Sequence, residues 1–153
     1  MANTEIQRIV HLLEKTFTGN AWHGPAVMEV LSDLTIEETL NKIESSHTIA
    51  ELVEHMITWR QFVVKKLEGD ALYDVPEHEN FRSVSTITEK DWKATLERLQ
   101  LSQETLLNLL KSTSDDKLNE TVGNRDYNYY TLLHGIIQHD IYHLGQIVLM
   151  RKL

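Results

Sequence analysis

Long uninterrupted helical periods dominate this chain. Two prolines and six glycines are spread over 153 residues. Between them apolar side chains recur at three- and four-residue spacing, the period of an amphipathic helix. No run alternates apolar and polar residues around an Asn-Gly or Asp-Gly turn, the mark of a hairpin. The pattern predicts a helix over about 3–18, ending near Gly19-Asn20, then a turn at Trp22–Pro25 and a short helix near 25–32. Thr35-Ile-Glu-Glu38 has capping-box spacing and opens another short helical turn. A second long helix is expected over about 48–68, opened by the box Thr48-Ile-Ala-Glu51 and closed by Gly69-Asp70. A loop over 70–87, a helix over about 89–111 opened by Thr88-Glu-Lys-Asp91, a polar connection over 112–128 and a helix over about 129–151 complete the chain. The expected fold is all-α, a four-helix bundle with short extra helices between helix one and helix two. One domain is expected to span 1–153.

Composition narrows the function. The chain has no cysteine and eight histidines. That excludes a disulfide framework, a thiolate zinc site, an iron–sulfur cluster and a cysteine nucleophile. Any thiol chemistry must borrow its thiol from a small molecule. The formal charge of −8 comes with no basic cluster, so nucleic acid is not the expected partner. No apolar run is long enough to span a membrane. The start Met1-Ala2-Asn3-Thr4-Glu5 lacks the basic and apolar regions of a signal peptide, which suggests the cytoplasm.

Chemistry concentrates on two helix faces. On the second long helix, Ile49, Leu52, Val53, Met56, Val63 and Leu67 form an apolar stripe, with His55 at its edge beside Trp59 and Phe62. On the last, Leu133, Ile136, Ile137, Leu144, Ile147 and Val148 form the stripe, with His139 and His143 together at its edge. An i, i+4 pair stands on one side of a helix, so both imidazoles can reach one ion at about 2.0–2.1 Å. Two histidines hydrogen-bonding at a bundle edge have the same spacing. The segment His139-Asp-Ile-Tyr-His143 departs from the zinc-protease pattern, because Asp140 is one methylene too short for the usual base. No ligand follows downstream before the sequence ends, so a third one must lie upstream, and His55 is the natural candidate. A di-iron carboxylate site fits poorly, since Glu44-x-x-His47 precedes the predicted helix.

Three segments are similar to the DinB family: Ala21–Pro25, Ser46–His55 and Leu133–Ile147 with its H-x-x-x-H followed by Gly-Gln. The resemblance covers nearly the whole chain, in order. It implies a four-helix bundle holding a divalent metal on the positions occupied here by His55, His139 and His143. Zinc or nickel is the expected metal, with iron or manganese also compatible with histidine ligands. Some relatives are transferases or isomerases that use a low-molecular-weight thiol, and the fold is often a homodimer. The expectation is therefore a metal-dependent enzyme of the S-transferase type acting on a small-molecule substrate. Metal-dependent hydrolysis and a non-enzymatic, stress-related metal-binding bundle are the alternatives.

Other residues carry weaker expectations. Asp140 falls inside the apolar stripe and must be paired. It either orients a ligand imidazole or, the favoured reading, pairs with the inward-facing Arg60. Gln146 lies near His143 and is a candidate hydrogen-bond partner for it. Trp22, His23 and Trp59 are candidates for a substrate pocket, with core packing as the alternative. His23 is also a candidate fourth ligand. His11, His47, His78 and His134 read as surface or packing residues, as do Tyr129, Tyr130 and Tyr142.

Overall fold

The structure, a computed structural model, describes residues 4–153. In chain order it forms α1 (Glu5–Thr18), α2 (Val27–Leu31), α3 (Ile49–Leu67), α4 (Glu77–Asn80), α5 (Glu89–Lys111) and α6 (Tyr129–Met150). Short 3-10 turns occupy Glu38–Leu40 and Asp115–Asn119. Among the described residues there is no sheet, only isolated bridges at Ala21–Gly24 and Thr121–Asn128. The four long helices end within about two residues of the sequence-based spans, the usual scatter of helix ends. The expected start at residue 3, like the first three residues of the Met1–Glu5 segment read for a signal peptide, lies outside the described residues. Helical turns also appear where none was expected, as α4 inside the 70–87 loop and as the 3-10 turn inside 112–128.

The starts follow local hydrogen-bond chemistry. Thr48 and Thr88 each accept the amide of the third residue on, Glu51 and Asp91, at 3.2 Å. Glu51 and Asp91 return to the threonine amides at 3.0 and 2.9 Å. Thr4 and Gln7 form the same reciprocal pair at the start of α1. Asn128 caps α6 by accepting from Thr131 at 3.0 Å. Each cap is worth about 1 kcal/mol. The box at Thr35–Glu38 also closes, and opens the 3-10 turn. Asp115 accepts the free amides of Glu5 and Ile6 at 2.8 and 3.0 Å, pinning the last connection to the start of α1. These two amides hold its carboxyl below the ordinary aspartate range. The two long connections meet where Gly123 adopts φ +49°; a Cβ there would stand 2.5 Å from the Ala71 carbonyl oxygen.

The apolar stripes bury two clusters. One gathers Phe17, Leu31, Val53, Met56, Leu99, Leu144 and Ile147. The other gathers Ile9, Leu13, Phe62, Val63, Leu106, Leu110 and Leu133. A polar layer sits between them in the register of every long helix. Arg60, fully buried on α3, forms an ion pair with Asp140 of α6 and donates to Gln103 Oε1 of α5. Gln103 in turn donates to the Leu13 carbonyl of α1 at 3.2 Å. The guanidinium carbon lies 4.9 Å from the centre of the Phe17 ring. Arg60 thus ties together all four long helices. Burial pushes the Asp140 carboxyl upward, against the pull of Arg60.

α3 packs against both α5 and α6. Its run from His55 through Arg60 to Lys66 meets α6 at His139, Asp140 and Tyr129 in turn, so the two helices are antiparallel.

Removing one member of the buried pair leaves the other charged and alone. Arg60→Met should lower stability by about 3–5 kcal/mol, and Arg60→Met with Asp140→Leu should recover most of that loss. Urea denaturation of both variants tests this; an unchanged midpoint in the single variant would show that the layer holds nothing.

Candidate metal centre

The antiparallel seam between α3 and α6 brings three of the eight histidines together. His55 comes from α3, and His139 and His143 come from successive turns of α6. His139 Nε2 lies 3.0 Å from His55 Nε2 and 3.2 Å from His143 Nε2. One ligand atom from each residue falls within 4.8 Å of the others. His55 and His143 are buried and His139 is half-buried.

Their outer nitrogens explain why the inner ones converge. His55 Nδ1–H donates to the Asn80 carbonyl at 2.7 Å. His143 Nδ1–H donates to Gln146 Oε1 at 2.7 Å. In a neutral imidazole a protonated Nδ1 leaves Nε2 as a bare lone pair. His139 Nδ1 is buried and has no hydrogen-bond partner among the described residues. A single proton on one inner nitrogen can bridge part of this arrangement, but a divalent cation satisfies all three lone pairs at once. The 3.0 and 3.2 Å spacings fall between the two values that bonds of 2.0–2.1 Å require, about 2.9 Å across adjacent octahedral positions and about 3.3 Å across tetrahedral ones. The donor set therefore fits a divalent metal without selecting among zinc, nickel, iron and manganese.

Electrostatics favour the neutral, ligating form. Burial, then the neighbouring His143, His55 and Arg60, push His139 down to about 3. Burial also lowers His55, against the Asn80 hydrogen bond, and lowers His143, against Gln146. All three are neutral at pH 7, as metal ligands must be.

A strap from the 70–87 connection fixes His55 from outside. Phe81 stacks on the His55 ring at 3.9 Å, and His47 stacks on the other face of Phe81 at 3.8 Å. Asn80 Oδ1 accepts from Trp59 Nε1 at 3.0 Å, while its main-chain oxygen holds His55. Glu51 Oε1 accepts the Val84 amide at 3.0 Å. Asn80 and Phe81 are absent from the sequence-based candidates. The only signal in the sequence was an isolated aromatic residue in a polar loop.

The other candidates scatter. Gln146 sits on His143, and Asp140 turns away from the imidazoles onto Arg60. Trp59 lines a cleft of about 220 Å³ together with His139. Trp22 is fully exposed, and His23, also exposed, has its Nε2 3.2 Å from the Pro25 carbonyl oxygen; neither makes a ring contact or hydrogen bond with the three histidines. His47 packs on Phe81, His134 Nδ1 lies 2.9 Å from the Tyr130 carbonyl oxygen, and Tyr129 donates its hydroxyl to the Lys66 carbonyl at 2.6 Å. Among the described residues no helix is long and apolar enough to cross a membrane.

A model of the DinB superfamily matches residues 21–147, and the chain belongs to that superfamily. Comparison with curated proteins and with solved structures yields no match.

Neutral buried imidazoles link stability to pH. Each of the three has a folded pKa below its unfolded value, so the unfolded chain binds more protons once the pH falls below about 6.5. For His139 this loss of stability continues down toward about 3. In the metal-free protein, urea midpoints should therefore drop from pH 7 to pH 5, and drop less in His139→Gln. An equal drop in both proteins would contradict a neutral His139.

Proposed function

We propose that His55, His139 and His143 hold one divalent ion through their Nε2 atoms, and that the protein is a metal-dependent enzyme joining a small-molecule thiol to an electrophile. The observation that carries this reading is the convergence of three Nε2 atoms, two of them left bare by an Nδ1 tied outward. Three protein ligands leave coordination positions for water or substrate, as in catalytic rather than structural sites. When bound, such an ion supplies Lewis acidity, lowering the pKa of a thiol or water and polarising an electrophile.

The chain's own residues narrow the chemistry. No cysteine exists to act as nucleophile, so the sulfur must come from a cosubstrate. Asp140, the carboxylate next to His139 in sequence, is committed to Arg60. Activation of a thiol or of a water at this site therefore falls to the ion itself. In the transfer, a carbon–sulfur bond forms, the bond to the leaving group breaks, and the thiol proton departs with that group. Asn80 and Gln146 keep the imidazoles oriented throughout, and Phe81 covers the outer face of His55. The reading takes the chain as one cytoplasmic domain acting on small molecules, with a homodimer as its assembly.

Untagged protein should carry about one ion per chain, and His139→Ala should lose it by roughly tenfold or more, read by elemental analysis. Thiol-dependent conjugation of 1-chloro-2,4-dinitrobenzene should vanish in the same variant. Full metal in His139→Ala would overturn the ligand assignment. Turnover without thiol would favour hydrolysis, and bound metal without turnover would leave a non-enzymatic metal-binding bundle.

A further inference from the structure

The cleft beside His139 has a composition that neither the metal nor the packing explains. It follows the α3–α6 seam one turn beyond the histidines, walled by Trp59, Phe62 and Val63 on one side and by Ile136 and His139 on the other. Its polar groups are few. The Trp59 indole N–H, which would otherwise point a donor at an occupant, is already bonded to Asn80. His139 belongs to both places: its Nε2 faces the other two histidines, and its ring forms one end of the cleft.

Gly135 forms part of the cleft wall, in the interior of α6. Glycine weakens a helix interior relative to alanine, so it needs a reason there. Backbone conformation gives none, since its φ is not positive. Close packing gives none either, because a Cβ built on Gly135 meets nothing within 4 Å. What the missing side chain leaves is the space of the cleft itself.

The geometry points to this cleft as the subsite for the apolar part of the substrate, an aryl or short alkyl group, with Gly135 setting its size. The inference rests on the reading of the three histidines as a reactive metal centre. The volume of about 220 Å³ suits an aromatic ring with a few further carbons, since an apolar cavity of about 150 Å³ already accepts benzene. It is too small for a peptide helix, whose diameter with side chains is about 10 Å. Continuity with His139 places the reacting end of such a molecule toward the three Nε2 atoms.

Two probes separate the parts of this inference. In metal-free protein, toluene should shift the methyl NMR signals of Val63 and Ile136, and should fail to do so in Gly135→Leu. In zinc-loaded protein, 2-phenylethanethiol should bind roughly tenfold or more tightly than ethanethiol, the gain expected for burying a ring. Calorimetry should show that preference kept in Gly135→Ala and lost in Gly135→Leu. Circular dichroism and metal content equal to wild type would establish that both variants are folded and loaded. Toluene shifts that are absent, or that persist in folded Gly135→Leu, would overturn the cleft as an apolar subsite. Toluene binding without a preference between the two thiols would overturn its connection to the metal. A wild-type chain that takes up no metal would overturn the reading of the histidines and that connection with it, while leaving the toluene result to stand on its own.

Discussion

A single buried guanidinium sets the geometry of this bundle. Arg60 has no exposure, and its partners lie on the other three long helices: Asp140 directly, Gln103 directly, and Leu13 through Gln103. Ion pairs of this kind contribute little net stability compared with a well-packed apolar layer, but they punish a wrong register severely. Apolar side chains slide past one another at modest cost; a buried charge whose acceptors stand at fixed points on two facing helices does not. The pair fixes both the height and the rotation of α6 against α3. His139 precedes Asp140 by one residue and His143 follows it by three. Once Asp140 faces Arg60, the 100° step of the helix delivers both histidines to the same side of α6. The metal-competent arrangement is a downstream result of the core pair.

The division of the core supports the same view. Each apolar cluster draws on all four long helices, and the polar layer interrupts both at a matching level. The layer supplies direction to an interior that apolar packing alone would leave degenerate. Among the described residues Asp140 Oδ1 and Arg60 Nε have no hydrogen-bond partner, so the layer holds these groups in place at a real desolvation cost.

Much of this was legible before any coordinates. The helices declared themselves through apolar spacing and through Thr48 and Thr88, whose caps depend on residues three apart in sequence. His55, His139 and His143 were legible because each sits at the edge of a stripe, and two stripe edges on packed helices must meet. The Arg60–Asp140 pair was legible because a charge inside a stripe needs a partner of opposite sign on a facing helix. Asn80 and Phe81 were not: their roles arise from a connection without periodicity, and nothing local says which helix it crosses. α4 was hidden for the same reason, four residues being too few to show a period. The cleft was invisible because the open space beside Gly135 becomes a cleft only when the α3 side chains stand opposite. For Trp22 the sequence offered no way to tell a pocket wall from a fully exposed side chain.

His55 and His143 are oriented by different kinds of acceptor. Gln146 is a side chain, so the chemistry behind His143 can be rewritten by one codon. Behind His55 stands a main-chain oxygen, that of Asn80. Every amino acid carries that same oxygen, so substitution at position 80 cannot delete it. Only a change in the path of the backbone can. The two imidazoles are therefore exposed to different classes of genetic change: point substitution for one, and insertion or deletion in the 70–87 connection for the other. Within this fold, the length of that connection is the inherited quantity that His55 depends on.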